Sequence, residues 1–314
     1  MSRSIRTIAT VIAVLGLMLA SIVGAASQDG DKPKVSVGTV AYTEQVIMGE
    51  LLSLILEDAG YEVERTFNLA SEAMLHQAHT SGEVDVSVQY TGSGLVGILG
   101  MEVPEPTVND AGTPVSIPEQ SYDIVSREFD EQFGLIWLDQ LGFNNTYALL
   151  VTRDTAEEYY LETISDLREH AGELTLGSDV PFPARPDGLP ALEEGYDMEF
   201  DDVVTMDVGL LYSSVDQGEV DVIVGYSTDG RIPLLDLVIL EDDLDHFPPY
   251  HAAPVVDAEL LEANPEIADL VNQLGGLFDD EIMARMNYEV DEENREPRDV
   301  AREFLEEQGI IGGE

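Results

Sequence analysis

Cysteine is absent from the 314 residues, which removes disulfides, zinc–thiolate centres, thiol catalysis and lipid attachment through an N-terminal cysteine. Basic charge is scarce. Fourteen Lys and Arg stand against 63 Asp and Glu, a formal net charge of −49. A chain without a basic footprint cannot displace counterions from phosphates, so ordinary nucleic-acid binding is excluded, and an anionic membrane surface repels it. Lysine is nearly missing: Lys32 and Lys34 are the only two, and every other basic side chain is arginine. The sequence also holds no GxSxG, no Walker loop and no HExxH, and no GxGxxG is expected to follow a strand, so the best-marked routes to hydrolysis and nucleotide chemistry lack their residues.

A hydrophobic content of 44% is that of a globular protein, so the acid load does not signal disorder. The carboxylates are spread along the chain and repel one another unless salt screens them, and at about 1 M salt the Debye length is only about 3 Å. The expectation is a surface adapted to very high salt, as in a halophile. At the N-terminus, Arg3 and Arg6 precede an uncharged run from Thr7 to Ala26, with small residues at Gly24, Ala25 and Ala26. That order reads as a secretory signal or an uncleaved anchor over residues 1–26, with the remainder outside the cytoplasmic membrane.

Strand-like and helix-like segments then alternate. Lys34–Thr39 reads as a strand, Thr43–Ala59 as a helix capped by Thr43 and stopped by Gly60, and Tyr61–Phe67 as the next strand, a β–α–β unit of a parallel sheet. Gly82–Tyr90 (GEVDVSVQY) and Gly218–Tyr226 (GEVDVIVGY) are nearly identical. Each follows a helix-like stretch, Glu72–Thr80 or Gly209–Asp216, and each runs into a polar loop, Thr91–Gly94 or Ser227–Gly230. Each half of the chain thus delivers a tyrosine to the C-terminal end of a strand, where open α/β sheets bind ligands. A Pro-rich connector spans Val103–Pro118, with a helix near Tyr122–Phe133 and a strand near Leu135–Leu138 beyond it. Leu141–Tyr147 leads into the strand Ala148–Thr152 and suits a crossover between domains. Beyond Pro248 the pattern is helical, notably Glu259–Leu277 and Arg298–Gln308, and this part is expected to pack back on the first domain.

Candidate chemistry is sparse. His76 and His79 are three apart on a helix, a spacing that suits a metal, but no acidic partner is set beside them by motif and an exposed pair is the expectation. Paired carboxylates carry no information where one residue in five is acidic. The sequon Asn144-Asn145-Thr146 lies in the crossover and is expected to stay unglycosylated. Four tyrosines are better placed: Tyr90 and Tyr226 end the repeated strands, Tyr147 follows the first crossover, and Tyr250 lies in FPPYHAAP at the second. Lining one cleft, their faces would form a cage for a diffuse cation such as a quaternary ammonium.

The chain resembles the glycine betaine/choline-binding proteins of osmoprotectant ABC importers over residues 34–311. The motifs that carry the likeness are Thr43-Glu44-Gln45, Tyr90-Thr91-Gly92, Gly142–Ala148 (GFNNTYA), Tyr226–Arg231 (YSTDGR), Phe247–Tyr250 with Ala253-Pro254, and Val300–Leu305 (VAREFL). The resemblance implies a type II periplasmic-binding-protein fold: two α/β domains, a ligand cleft between them and two chain crossovers, with domain I as 34–142 plus 249–314 and domain II as 143–248. It implies a cage of Tyr90, Tyr147, Tyr226 and Tyr250 around a trimethylammonium group. Arg185 and Ser93 fall where relatives contact the betaine carboxylate, and Asn145 matches a polar residue near the cage. An arginine fork suits a carboxylate. Val40 stands where some relatives have a lysine, which favours choline, whereas Arg185 favours betaine. Thr43, Gln45 or the backbone of the turn Val40–Gln45 offer further contacts.

The expected function is an exported, monomeric binding protein that captures a quaternary ammonium osmolyte, glycine betaine foremost, and delivers it to ABC permease subunits. No cofactor, metal or chemistry of its own is expected. The alternatives are a choline- or carnitine-preferring protein of the same type, a sensory ligand-binding module marked by a fused signalling segment, and an exported hydrolase.

Overall fold

The structure is a computed structural model that describes residues 32–109, 111–180, 182–184 and 188–312. The presumed export segment 1–26 and Arg185 lie outside the described residues.

The first lobe opens with β1 (Lys34–Val40), buried at every position after Lys34, then α1 (Thr43–Asp58) and β2 (Glu62–Leu69). The helix α1 is buried on nearly all sides, between the sheet and the C-terminal helices. Gly49 permits this close seat: a Cβ there would stand 2.3 Å from Thr39 Cγ2 and 2.9 Å from Phe67 Cζ. Gly60, at φ +87°, turns the chain out of the helix as expected, with Tyr61 N bonding back to Leu56 O. Thr43 is not the N-cap. Tyr42 holds that position without a side-chain bond, and the Thr43 hydroxyl donates instead to Asp291 Oδ1 at 2.5 Å.

Next come α2 (Glu72–Thr80) and β3 (Val86–Tyr90). The polar loop expected after Tyr90 is helical instead and becomes a π-type turn over Ser93–Ile98, in which the bare Gly94 sits against Trp137, Val125 and Phe129. The connector carries the ribbon Thr107–Val108 with Pro114–Val115. The helix α3 (Ile117–Phe133) begins earlier than its apolar pattern suggests, since Ser116 accepts from Glu119 N and proline sits in the first turn. It leads into β4 (Leu135–Trp137).

In the second lobe follow β5 (Tyr147–Thr152), β6 (Thr175–Asp179), β7 (Asp202–Met206), α4 (Val208–Asp216), β8 (Val222–Tyr226) and β9 (Leu237–Ile239). The chain then returns to the first lobe as β10 (Ala252–Asp257). This strand was not expected, being short and interrupted by Pro254. The helix expected over Glu259–Leu277 is broken at Asn264-Pro265 into Ala258–Ala263 and Glu266–Val271, with a 3₁₀ turn after it. Two further helices, α5 (Asp280–Asp291) and α6 (Pro297–Glu307), complete the first lobe against α1.

The two sheets share one plan. The first has the order β2-β1-β3-β10-β4; the second, read in the matching direction, is β7-β6-β8-β5-β9. In each, the repeated strand (β3 or β8) lies third, parallel to one neighbour and antiparallel to the strand that has crossed from the other lobe. This accounts for the repeat residue by residue. Gly82 and Gly218, at φ +74° and +70°, end the preceding helices. Val84 and Val220 are buried. Asp85 and Asp221 clamp the neighbouring strand, accepting from Ser36 N at 2.7 Å and Thr175 N at 2.8 Å. These three shared positions build the turn and the start of the strand, and Tyr90 and Tyr226 stand at the strand ends.

His76 and His79 are not an exposed pair. The inner face of α2 is apolar and packs on the sheet, so His79 is only 2% exposed, with Nε2 2.7 Å from Ser87 Oγ. His76 lies edge-on to Phe129 and Phe133 of α3. Burial pulls the His79 pKa down to about 3. The folded ring therefore refuses a proton that the unfolded chain accepts, and stability conferred above the ordinary histidine pKa is lost as pH falls from about 6.5 towards 3. Chemical denaturation across that range should show His79→Gln reducing the acid loss of stability by up to about 1.4 kcal/mol per pH unit. An unchanged slope would contradict the burial of a neutral ring.

The few basic side chains are placed among the acids. Arg65 reaches Glu50 at 2.9 Å and Glu57 at 2.6 Å, and Arg298 reaches the same two at 3.2 and 2.8 Å, joining β2, α1 and α6. Arginine's fork serves two carboxylates at once where an ammonium offers a point charge. Most carboxylates nonetheless exceed the supply of cations, so the melting temperature should rise steeply between about 0.1 M and 1 M salt, as the Debye length falls from about 10 to 3 Å. A flat or falling midpoint in calorimetry would show the acid surface to be tolerated without salt.

Candidate functional site

Where the repeated strands end, β3 pairs Tyr90 with Ala252, and β8 pairs Tyr226 with Tyr147. Tyr250 lies two residues before Ala252 on the returning segment, against Gly92, where a Cβ would stand 2.7 Å from Tyr250 Cε1. Tyr147 and Tyr226 stack with centroids 5.4 Å apart, and Tyr147 is braced by Phe182 and Phe247 at 5.4 and 5.8 Å. Tyr90 is backed edge-on by Phe143.

One cavity of about 750 Å³ joins these pieces. Its lining includes six residues expected from sequence: Tyr90, Ser93, Asn145, Tyr147, Tyr226 and Tyr250. The seventh, Arg185, lies outside the described residues. Of the further contacts expected in the first turn, Thr43 lines the cavity and two others are redirected. Gln45 is wholly buried with Nε2 donating to Val88 O at 3.0 Å, so it braces β3 and does not line the cavity. Val40 packs into a small core with Leu75, Ala78 and Val84, away from the cavity lining.

The crossing segments run side by side at the cavity's edge. Asn144 and His251 form an isolated antiparallel bridge, Asn145 N donates to Tyr250 O at 3.2 Å, and Asn144 Oδ1 accepts from Tyr250 N at 2.7 Å. The Asn144 side chain is thereby occupied within the fold. Gly142, at φ +117°, passes so close to Phe278 O that a Cβ would stand 2.3 Å away. Ser227 Oγ donates to Asn144 O at 2.7 Å, tying the YSTDGR loop to the crossing. In that loop Asp229 is held by Arg231 at 2.7 Å, and Gly230 allows contact with Tyr288.

Glu44 is the residue that sequence reasoning passed over. It lies in the first turn of α1, where an acid complements the helix N-terminus, and it is only 3% exposed while lining the cavity. Tyr90 OH donates to Oε1 at 2.5 Å, Asn145 Nδ2 to Oε1 at 2.9 Å, and Asn287 Nδ2 to Oε2 at 3.2 Å. Asn287 Nδ2 also donates to Thr228 O at 3.0 Å, so the network reaches the second lobe. Burial pushes the Glu44 carboxyl up, and the hydrogen bonds from Tyr90, Thr228, Asn145 and Asn287 oppose it. Elsewhere in the lining, Tyr42 OH donates to Glu72 at 3.0 Å, and loss of solvent pushes Glu72 up to about 7.

The described lining contains Glu44, Glu72, Asp229 and Asp291 and no Lys or Arg. Aromatic faces with buried carboxylate suit a cation. Gly92, Gly94 and Gly97 follow β3 at the spacing GxGxxG, against the expectation that no such motif follows a strand. Here Gly92 meets Tyr250 and Gly94 meets Trp137, so two of these glycines serve close packing, and the π-type turn is not the strand–turn–α-helix that cradles a dinucleotide. Among the described residues no group of three or more His, Asp or Glu is arranged to hold a metal.

The chain is 39% identical over 285 residues to the carnitine transport binding protein of Listeria monocytogenes, covering 90% of this chain and 89% of that one. It is 34% identical over 322 residues to the glycine-betaine-binding protein of Pseudomonas aeruginosa, covering 99% and 96%. A crystal structure of a glycine betaine/carnitine/choline ABC transporter protein superposes with a TM-score of 0.80 at 35% identity, over 88% of this chain and 100% of that one. Residues 33–307 match the substrate-binding domain of ABC-type glycine betaine transport systems, and the chain belongs to that family, with its type II periplasmic-binding-protein fold.

Proposed function

We propose that the chain captures a quaternary ammonium osmolyte, glycine betaine foremost, between the faces of Tyr90, Tyr147, Tyr226 and Tyr250. The observation that carries this reading is that four tyrosines, brought from four separate segments, line one cavity. Proteins of this family are extracytoplasmic components of ABC importers that bind small molecules and pass them to permeases. On this reading the chain acts as a monomer, is exported by its first 26 residues and catalyses nothing itself. Short-range contacts in a dry pocket also escape the screening that weakens surface charges in salt.

Closure follows from the crossings. The segments Gly142–Asn145 and Phe247–Pro249 are the proposed hinge, between domain I (34–142 and 249–314) and domain II (143–248). A ligand touching Tyr90 and Tyr250 on one side and Tyr147 and Tyr226 on the other favours the closed form by its extra contacts there. Arg185 is the proposed partner of the betaine carboxylate, with Ser93 and Asn145 as further polar contacts. Since the described lining has no cation, a zwitterion needs Arg185, whereas choline does not. Val40, buried against Leu75, does not decide between them.

The test is isothermal titration calorimetry of residues 27–314 in multimolar salt, with glycine betaine and choline in parallel. Both should bind, betaine more tightly, and Arg185→Ala should weaken betaine more than choline; equal losses would remove the carboxylate role. Binding of neither ligand to folded protein would overturn the reading. Tyr90→Ala or Tyr226→Ala should each cost up to about 2 kcal/mol, roughly 30-fold in affinity, without unfolding the protein. Unchanged affinity in both variants would contradict the cage.

A further inference from the structure

We propose that Glu44 is the counter-ion of this cavity, a buried carboxylate that selects a positively charged guest through its own charge and through the hydroxyl of Tyr90. The proposal rests on the cage reading and deepens it. A pocket built of tyrosine faces alone distinguishes a trimethylammonium group from an uncharged tert-butyl group only through the ring quadrupoles. An ionised carboxylate behind one ring adds a full charge.

Three observations set Glu44 apart from the other acids of the lining. First, it is 3% exposed, and the groups on its oxygens are neutral donors: Tyr90 OH, Asn145 Nδ2 and Asn287 Nδ2. Asp229, by contrast, has the Arg231 guanidinium at 2.7 Å, while Glu72 is only half-buried and Asp291 is exposed. A carboxylate buried among neutral partners leaves charge uncompensated, and the interior offers its strongest attraction to any cation that enters beside it. Second, the donor at 2.5 Å is the hydroxyl of a cage tyrosine. A phenol that donates to an anion gains electron density at its oxygen and ring, and its face becomes a better host for a cation. Third, the carboxylate is fixed from three directions. Tyr90 ends β3, Asn145 lies in the crossing, and Asn287 of α5 also grips Thr228 O of the second lobe. Glu44 thus cannot swing away to water when a neutral molecule occupies the pocket.

The alternative is a brace that only positions Tyr90 and the crossing. The two roles separate in calorimetry on Glu44→Gln with choline and with its uncharged isostere 3,3-dimethylbutan-1-ol. Loss of a counter-ion should raise the Kd for choline about tenfold or more while the isostere changes by less than about twofold. Loss of a brace would weaken both ligands equally, and that result, or unchanged choline affinity, would overturn the proposal. Tyr90→Phe keeps the ring and removes the hydroxyl. It should shift the choline-to-isostere ratio in the same direction, and it decides the matter should Glu44→Gln fail to fold; an unchanged ratio there would overturn the proposal. Binding of neither choline nor glycine betaine to the wild-type protein would bring down the cage reading itself and this inference with it, whereas wild-type binding with an unaltered ratio in the variants removes the counter-ion alone.

Discussion

The antiparallel pairing of each repeated strand with the strand arriving from the other lobe is the constraint on which the site depends. Because β10 lies against β3, Tyr250 is delivered beside Gly92, next to the strand end that carries Tyr90. The pairing of β5 with β8 sets Tyr147 directly across from Tyr226. The crossings that place these strands also make the segments about which the lobes are proposed to close. Aromatic wall and hinge are therefore one construction, and a shift of register by one residue would turn the tyrosines to the opposite faces of their sheets.

Charge operates at two ranges in this protein. Across the surface, carboxylates far outnumber cations, and arginine forks such as Arg65 and Arg298 each gather two of them. Their mutual repulsion is long-ranged and is removed by salt. Inside, Glu44 is only 3% exposed and is held by neutral donors at 2.5 to 3.2 Å. The proposed ligand selectivity rests on short-range contacts, which salt weakens less than it weakens the repulsion between surface charges.

Much of this was legible in the sequence because it is periodic or repeated. The GEVDV segments announced the two matching sheets, and the tyrosines that end them pointed to the cavity. Less legible were features set by partners distant in the chain. Thr43 looked like a cap, but its hydroxyl is drawn to Asp291, and Ser116 starts α3 ahead of its apolar pattern. The strand β10 is six residues long with a proline inside, too short for alternation to mark it. His76 and His79 looked exposed until α3 and β3 were seen to cover them. Glu44 was hidden by composition: in a chain so rich in acid, no single carboxylate draws notice, and only its burial distinguishes it.

The account turns on where the cation rests. A crystal structure of the protein with choline or glycine betaine bound should place the ammonium nitrogen within about 6 Å of the ring centroids of Tyr90, Tyr147, Tyr226 and Tyr250. A nitrogen outside that group of rings, turned to solvent or seated near Glu72, would contradict it.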